Sequence, residues 1–225
     1  MKFFVIEGID GSGKSTQVRL LMQYLEDHYI PYKYLHFPRT DAPVYGDLIA
    51  RFLRGDFGSI QHVDPYLVAL LYAGDRMDAA QQIQWWMEGG NFVVLDRYVY
   101  SNIAFQCAKI SDEGKRKELR DWIMHLEFDY HHIPRPDLNL FLDVPFDFIR
   151  NNLSAARAGE DRDYLQGGKD IHEDDLGFQQ RVREMYLWQV KENNDFRLID
   201  CMDKEGGMKP PEVIFGEILR EIGIW

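Results

Sequence analysis

Short apolar runs recur along the chain at Phe3–Ile6, Tyr32–Phe37, Phe92–Asp96, Leu138–Val144 and Phe196–Cys201, separated by stretches long enough for helices. Runs this short and this continuous, alternating with helical spacing, predict a parallel sheet covered by helices. The expected fold class is therefore α/β, with five parallel strands. Helix boundaries carry their own marks. Asp64-Pro65 supplies an N-cap and a first-turn proline for a helix through Glu88, and Gly89-Gly90 supplies its stop. Pro145 suits the first turn of the helix that follows Leu138–Val144. No repeat or low-complexity linker divides the 225 residues, so residues 1–225 are expected to form one domain. One stretch breaks the alternation. From Arg157 to Asp175 the chain is polar, Gly-rich and without core periodicity, which predicts a mobile lid over a site, because loops of this length are usually functional or disordered.

Directly after the first apolar run stands Gly8-Ile9-Asp10-Gly11-Ser12-Gly13-Lys14-Ser15, which fits the phosphate-loop pattern GxxxxGK[ST]. Glycines let successive backbone N–H groups turn inward on phosphates, and the N-terminus of the next helix adds partial positive charge. Gly8, Asp10, Gly11, Ser12, Gly13, Lys14, Ser15 and Thr16 thus form the expected ATP-binding segment. Lys14 would reach the β/γ-phosphates and Ser15 a magnesium ion. A dinucleotide-binding GxGxxG is excluded, because Thr16 occupies the position of its last glycine.

Charge narrows the partners. Lys and Arg total 26 against 37 Asp and Glu, a net charge of −11, which argues against a nucleic-acid polymer. Bound phosphates must then be met by local basic clusters. Cys107 and Cys201 are the only cysteines and read as core positions in a reducing compartment. The chain enters a strand almost at once, with no signal peptide, and no apolar run approaches the ~20 residues of a membrane helix. A soluble, cytoplasmic protein is expected.

A second block, Asp96-Arg97-Tyr98-Val99-Tyr100-Ser101-Asn102-Ile103-Ala104-Phe105-Gln106, resembles the Asp-Arg-Tyr block of thymidylate kinases. Phe37-Pro38-Arg39, Leu70-Leu71-Tyr72-Ala73-Gly74-Asp75-Arg76 and Arg135-Pro136-Asp137-Leu138, before a strand ending Leu142-Asp143-Val144, follow in the same family's order. The resemblance runs end to end. It implies a P-loop nucleoside-monophosphate-kinase fold and magnesium-dependent transfer of the γ-phosphoryl of ATP to dTMP, giving dTDP. A kinase of this type brings two anions together and needs cations on both sides. The resemblance assigns Arg39 and Arg97 to the acceptor phosphate, Asp10 to the acceptor sugar's 3′-hydroxyl, and Asp96, with Ser15, to magnesium. Tyr72 stands where the family stacks an aromatic on the base. Arg76, one turn on, would meet a thymine carbonyl, Asn102 matches a base-edge contact, and Phe105 would crowd the 2′-position. Gln106 would touch the base or cap its helix.

Some thymidylate kinases carry an arginine in the phosphate loop where this chain has Gly11. The stabilising cation must then come from elsewhere. The chain resembles the bacterial arrangement in which the lid supplies it, with Arg157 and Arg162 as candidates and Lys169 behind them. His131-His132 and His172-Glu173 lack metal-ligand spacing and read as loop or hinge positions. Trp85-Trp86 suits core and interface, the apolar faces around Leu67–Leu71 and Trp122–Leu126 suit packing on a second subunit, and the family is usually dimeric, which implies a homodimer. Two other functions compete: the same chemistry on another pyrimidine nucleotide or a deoxynucleoside, and a nucleotide-binding regulatory protein. The guanine-specific Asn-Lys-x-Asp of such switches is absent, and a second arginine cluster has no use in them.

Overall fold

Strands form where the apolar runs predict them: β1 (Phe3–Glu7), β2 (Tyr32–His36), β3 (Phe92–Asp96), β4 (Leu138–Asp143) and β5 (Phe196–Asp200). All pair in parallel, in the order β2-β3-β1-β4-β5. The three central strands are buried at every residue, whereas β2 and β5 at the edges expose part of theirs. Continuous apolar runs in the centre follow from helices covering both faces. The computed structural model describes residues 2–60, 62–154, 165, 171–172 and 175–224.

The helices are α1 (Lys14–Asp27), α2 (Tyr45–Leu53), α3 (Pro65–Glu88), α4 (Val99–Cys107), α5 (Glu113–Met124), α6 (Phe146–Ser154), α7 (Leu176–Glu192) and α8 (Pro211–Ile222). Asp64 caps α3 as expected, its side chain accepting from the Tyr66 amide at 2.8 Å, and Pro65 opens the first turn. α5 runs on into a π-helical turn, His125–Tyr130, which no feature of the sequence announces. None of the helices among the described residues is long and apolar enough to cross a membrane.

A main core fills both faces of the sheet. A smaller cluster of Ile49, Phe52, Leu53 and Val68, with Leu71 and Tyr72 against it, joins α2 to α3. Gly74 permits that junction: a Cβ there would stand 2.1 Å from the Tyr45 ring, so the two helices meet where α3 has no side chain.

Register sets the site. Ile6 pairs with Asp96, and Asp96 with His36, so β1, β3 and β2 end at one level. The loops after them therefore emerge side by side at the carboxyl edge of the sheet, where open α/β sheets bind ligands. Within the stretch toward Asp175, the described Leu165 and His172 are buried, and the Ile171 amide donates to the Leu53 carbonyl at 3.0 Å. His172 packs against Phe52 of α2 and Phe178 of α7. One expectation needs correction: the Trp122–Leu126 face is not left free for a second subunit, since Trp122 packs edge-on against Tyr66 and Leu126 is buried within the chain. Arg157, Arg162 and Lys169 lie outside the described residues.

Candidate active site

The phosphate loop joins β1 to α1. Gly13 holds a left-handed φ of 82°, and a Cβ on Gly8 would stand 2.6 Å from Ser12 Oγ, so both positions require glycine. Asn152 Nδ2 from α6 donates to the Gly11 carbonyl at 2.9 Å and ties the loop's crest to the other side of the sheet. The first turn of α1 carries no acid, the Thr16 amide closes on Gly13, and Ser15 is exposed at the mouth. That leaves the helix's positive end facing the loop. Lys14 is buried and curls back, its Nζ donating to the Gly8 and Ile9 carbonyls at 3.1 and 3.0 Å. Burial, reinforced by Arg97, lowers the ammonium to about 8 against the pull of Asp96, Asp10 and Glu7.

At the end of β3, Asp96 is buried beside this loop, with His36 Nδ1 3.4 Å from its Oδ2. Its Oδ1 and Ser12 Oγ are both buried, with no hydrogen-bond partner among the described residues. Burial opposes the Asp96 carboxylate, yet His36, Lys14 and Arg97 together hold it below the usual carboxylate range.

The next residue, Arg97, has a left-handed φ of 68°, an uncommon conformation for a side chain of this size, and its amide donates to the Ile6 carbonyl at 2.9 Å. One terminal nitrogen reaches Asp10 Oδ1 at 2.5 Å and the other Ser101 Oγ at 3.3 Å, and the guanidinium lies 5.0 Å from the Phe105 ring centre. Gln179 Nε2 from α7 supplies the second Asp10 oxygen at 2.9 Å and also donates to the His172 carbonyl at 2.8 Å. Burial would raise the Asp10 carboxyl, but Arg97 and Lys14 carry it below its ordinary value. Beneath this pair sits Glu7, wholly buried, accepting from the Tyr98 amide (2.9 Å), the Ser101 hydroxyl (2.5 Å) and the Tyr186 hydroxyl (3.0 Å). Burial raises its carboxyl above the usual range.

On the α3 side, Arg39 donates through Nε to Asp75 Oδ1 at 2.8 Å and through a terminal nitrogen to Asp78 Oδ2 at 2.6 Å. Arg76 is buried and grips Glu127 of the π-helical turn with two bonds of 2.7 and 2.5 Å. Asn102 Nδ2 meets the same carboxylate at 3.1 Å and the Ala69 carbonyl at 3.0 Å, leaving its Oδ1 buried and unpaired. Tyr72 is half-buried at the edge of the smaller core. Phe105 packs against His172 and Phe178, ring centres 5.0 and 6.0 Å apart. Burial, with Lys109 beside it, lowers the His172 imidazole to about 3, so this histidine is a neutral core ring. His131 and His132 follow the π-helical turn, and no group of three or more His, Cys, Asp or Glu among the described residues could hold a metal ion. Both cysteines are buried thiols, raised by that burial to about 12.

Direct contacts join Asp10, Arg97 and Phe105 in one cluster and Arg76 and Asn102 in another through Glu127, whereas Tyr72 is placed only against the smaller core. The sequence reading missed Glu7, Gln179 and Glu127. Glu7 had a signal, as the one acid closing an otherwise apolar strand run immediately before the loop.

A phosphate loop with a buried lysine, faced by arginines from the neighbouring strand ends and a long helix, defines the class: a P-loop nucleoside-monophosphate-kinase fold. Residues 6–207 fit the sequence profile of thymidylate kinase. A thymidylate kinase from Mycobacterium tuberculosis is 33% identical over 181 residues, covering 80% of this chain and 82% of that one. A probable thymidylate kinase from Pyrobaculum aerophilum is 36% identical over 203 residues, covering 89% and 88%. The solved thymidylate kinase of Candida albicans superposes with a TM-score of 0.71 at 26% identity, over 99% of this chain and 91% of that one. The chain belongs to the thymidylate kinase family.

Proposed function

We propose that this single domain, residues 1–225, transfers the γ-phosphoryl of ATP directly to the 5′-phosphate of dTMP, giving dTDP and ADP. The observation that supports the reading is the pair of cations at Asp10, Arg97 bonded to its carboxylate and Lys14 acting on it through charge, to which we assign the acceptor and the donor phosphates respectively. In the proposed reaction the acceptor phosphate takes the open face of the Arg97 and Arg39 guanidinia, whose planar forks suit phosphate oxygens. An acceptor phosphate oxygen attacks the γ-phosphorus in line, the bond to the β-phosphate oxygen breaks, and ADP leaves with that electron pair. The residues position and neutralise charge, and no covalent enzyme intermediate forms. Asp10 serves the 3′-hydroxyl and also steadies Arg97. Arg76 and Asn102 read the thymine edge, Tyr72 stacks on the base, and Phe105 lies against the sugar.

Magnesium fits the donor set. The unpartnered Asp96 Oδ1 and the exposed Ser15 hydroxyl supply oxygens, and this ion is ordinarily held by one or two protein oxygens, substrate phosphates and water. When bound it would supply positive charge that neutralises the phosphates during transfer. Gly11 brings no charge to the loop, so the bacterial-type arrangement, with Arg157 or Arg162 meeting the γ-phosphate, is part of the proposal. The homodimer reading draws on Leu67, Leu70 and Met77, apolar side chains exposed along α3. A cytoplasmic location suits two free thiols.

Lys14 provides a pH test. Triphosphate favours the ammonium that burial disfavours, so ATP binding at pH 8 should take up a proton, and affinity should weaken as pH rises through about 8. Calorimetry in two buffers of different ionisation enthalpy measures the uptake; identical heats would remove Lys14 from the phosphates. For Tyr72→Ala the expected result is a dTMP KM raised roughly 10-fold or more at nearly constant kcat, in keeping with stacking energies of about 1–3 kcal/mol. An unchanged KM would return Tyr72 to the smaller core.

The deciding experiment is ADP release from ATP and magnesium with dTMP, dUMP, UMP, dCMP, AMP and thymidine in turn. A strong preference for dTMP is expected. Turnover of another acceptor would replace the base assignment, and tight ATP binding with no transfer would favour a regulatory nucleotide-binding role.

A further inference from the structure

A cavity of about 290 Å³ opens between the end of α4, the start of α5 and α7. Its lining residues include the apolar Ile60, Ile110 and Phe178 and the cationic Lys109, Arg116 and Arg181. These cations belong to no mechanism described above. Lys109 Nζ donates to Gln106 Oε1 at 2.6 Å and lies over the Phe52 ring, and Arg116 Nε donates to the Ile110 carbonyl at 2.5 Å. Among the described residues neither has a carboxylate partner within ion-pair distance. Arg181 has one, Asp175, at 3.6 Å, and Asp175 already accepts from the Phe178 amide.

Cations lining one small cavity repel one another. A cavity with one apolar wall and a few convergent charged groups is the usual form of a small-molecule site. We propose that it binds a small organic phosphate, the apolar body against Ile60, Ile110 and Phe178 and the phosphate among Lys109, Arg116 and Arg181. The guanidinium forks suit phosphate oxygens, and the ammonium adds a point charge. Burial lowers the Lys109 ammonium to about 7 against the pull of Asp64, and a phosphate beside it would favour its charged form. Phe178 is the shared wall: its other contacts are the Phe105 and His172 rings on the acceptor side.

Phenyl phosphate is the probe, titrated calorimetrically into the full chain with and without saturating dTMP. The expected result is one site per chain, unaffected by dTMP, with affinity reduced about 10-fold or more in Arg116→Gln and in Lys109→Met, as loss of a charge-assisted contact implies. Lys109→Met keeps the side chain's length and apolar stem, so it reports charge even if Arg116→Gln loosens α5. Melting temperatures of both variants monitor the fold, and binding needs no turnover, so a wrong acceptor assignment would leave this test intact. Competitive displacement by dTMP would overturn the proposal, as would unchanged affinity in both variants. Inorganic phosphate binding as tightly as phenyl phosphate would remove the apolar wall from the site, and benzoate binding more tightly would replace the phosphate.

Discussion

Replacing Arg97 by alanine is expected to lower phosphoryl transfer about 10²–10³-fold while leaving ATP affinity nearly unchanged. The magnitude follows from the removal of a preorganised cation from a site where negative charge gathers. Arg97 is held in place from several directions: its amide by Ile6, its guanidinium by Asp10 and Ser101, and its backbone in a left-handed conformation that costs energy. That preorganisation is lost with the side chain. ATP affinity is spared because Arg97 works against Lys14. It is among the influences that lower the Lys14 ammonium, so its removal makes the donor-side cation more firmly charged. Gln179 remains to hold Asp10. Arg97→Lys should recover only part of the rate, since a point charge cannot bridge two oxygens as the fork does. Steady-state kinetics with dTMP and a binding isotherm for ATP separate the effects, and a parallel loss of ATP binding would place Arg97 on the donor side instead.

The cations of the site were legible in the sequence and most of their partners were not. Arg97 directly follows one continuous apolar run, and Lys14 lies in the glycine-rich segment after another, so the runs themselves mark where these cations stand. The partners come from across the chain. Glu127 lies 51 residues from Arg76, and Gln179 lies 169 residues from Asp10, so no local spacing joins them. Glu127 is further hidden because a π-helical turn changes the helical phase and thus the face that the residue occupies. The polar stretch before α7 shows a related limit. Periodicity is blind to a few apolar residues in a polar segment, yet Leu165 and His172 are buried by neighbours that only the fold supplies. Glu7 shows the opposite limit, a residue whose position in an apolar strand was conspicuous but whose partners, Tyr98, Ser101 and Tyr186, were distant.

The largest effect on stability should come from Glu127→Ala. Arg76 and Glu127 are 2% and 0% exposed, so removing the acid leaves a guanidinium buried with no counter-charge, a change that costs about 3–5 kcal/mol. At about 2–4 °C per kcal/mol for a chain of this size, the melting temperature should fall by roughly 6–20 °C. The same change should raise the KM for dTMP in whatever folds, because Glu127 fixes the Arg76 guanidinium and one amide hydrogen of Asn102, both assigned to the base. Arg76→Met with Glu127→Leu separates the two consequences. An apolar pair of similar volume removes the stranded charge, so the double variant should melt well above Glu127→Ala while showing a still weaker preference for dTMP over dCMP. If Glu127→Ala melts within a degree or two of the parent, the Arg76 side chain has an alternative route to solvent and the pair is not the anchor of the base pocket. If the double variant keeps full base preference, the pocket reads its substrate through other groups.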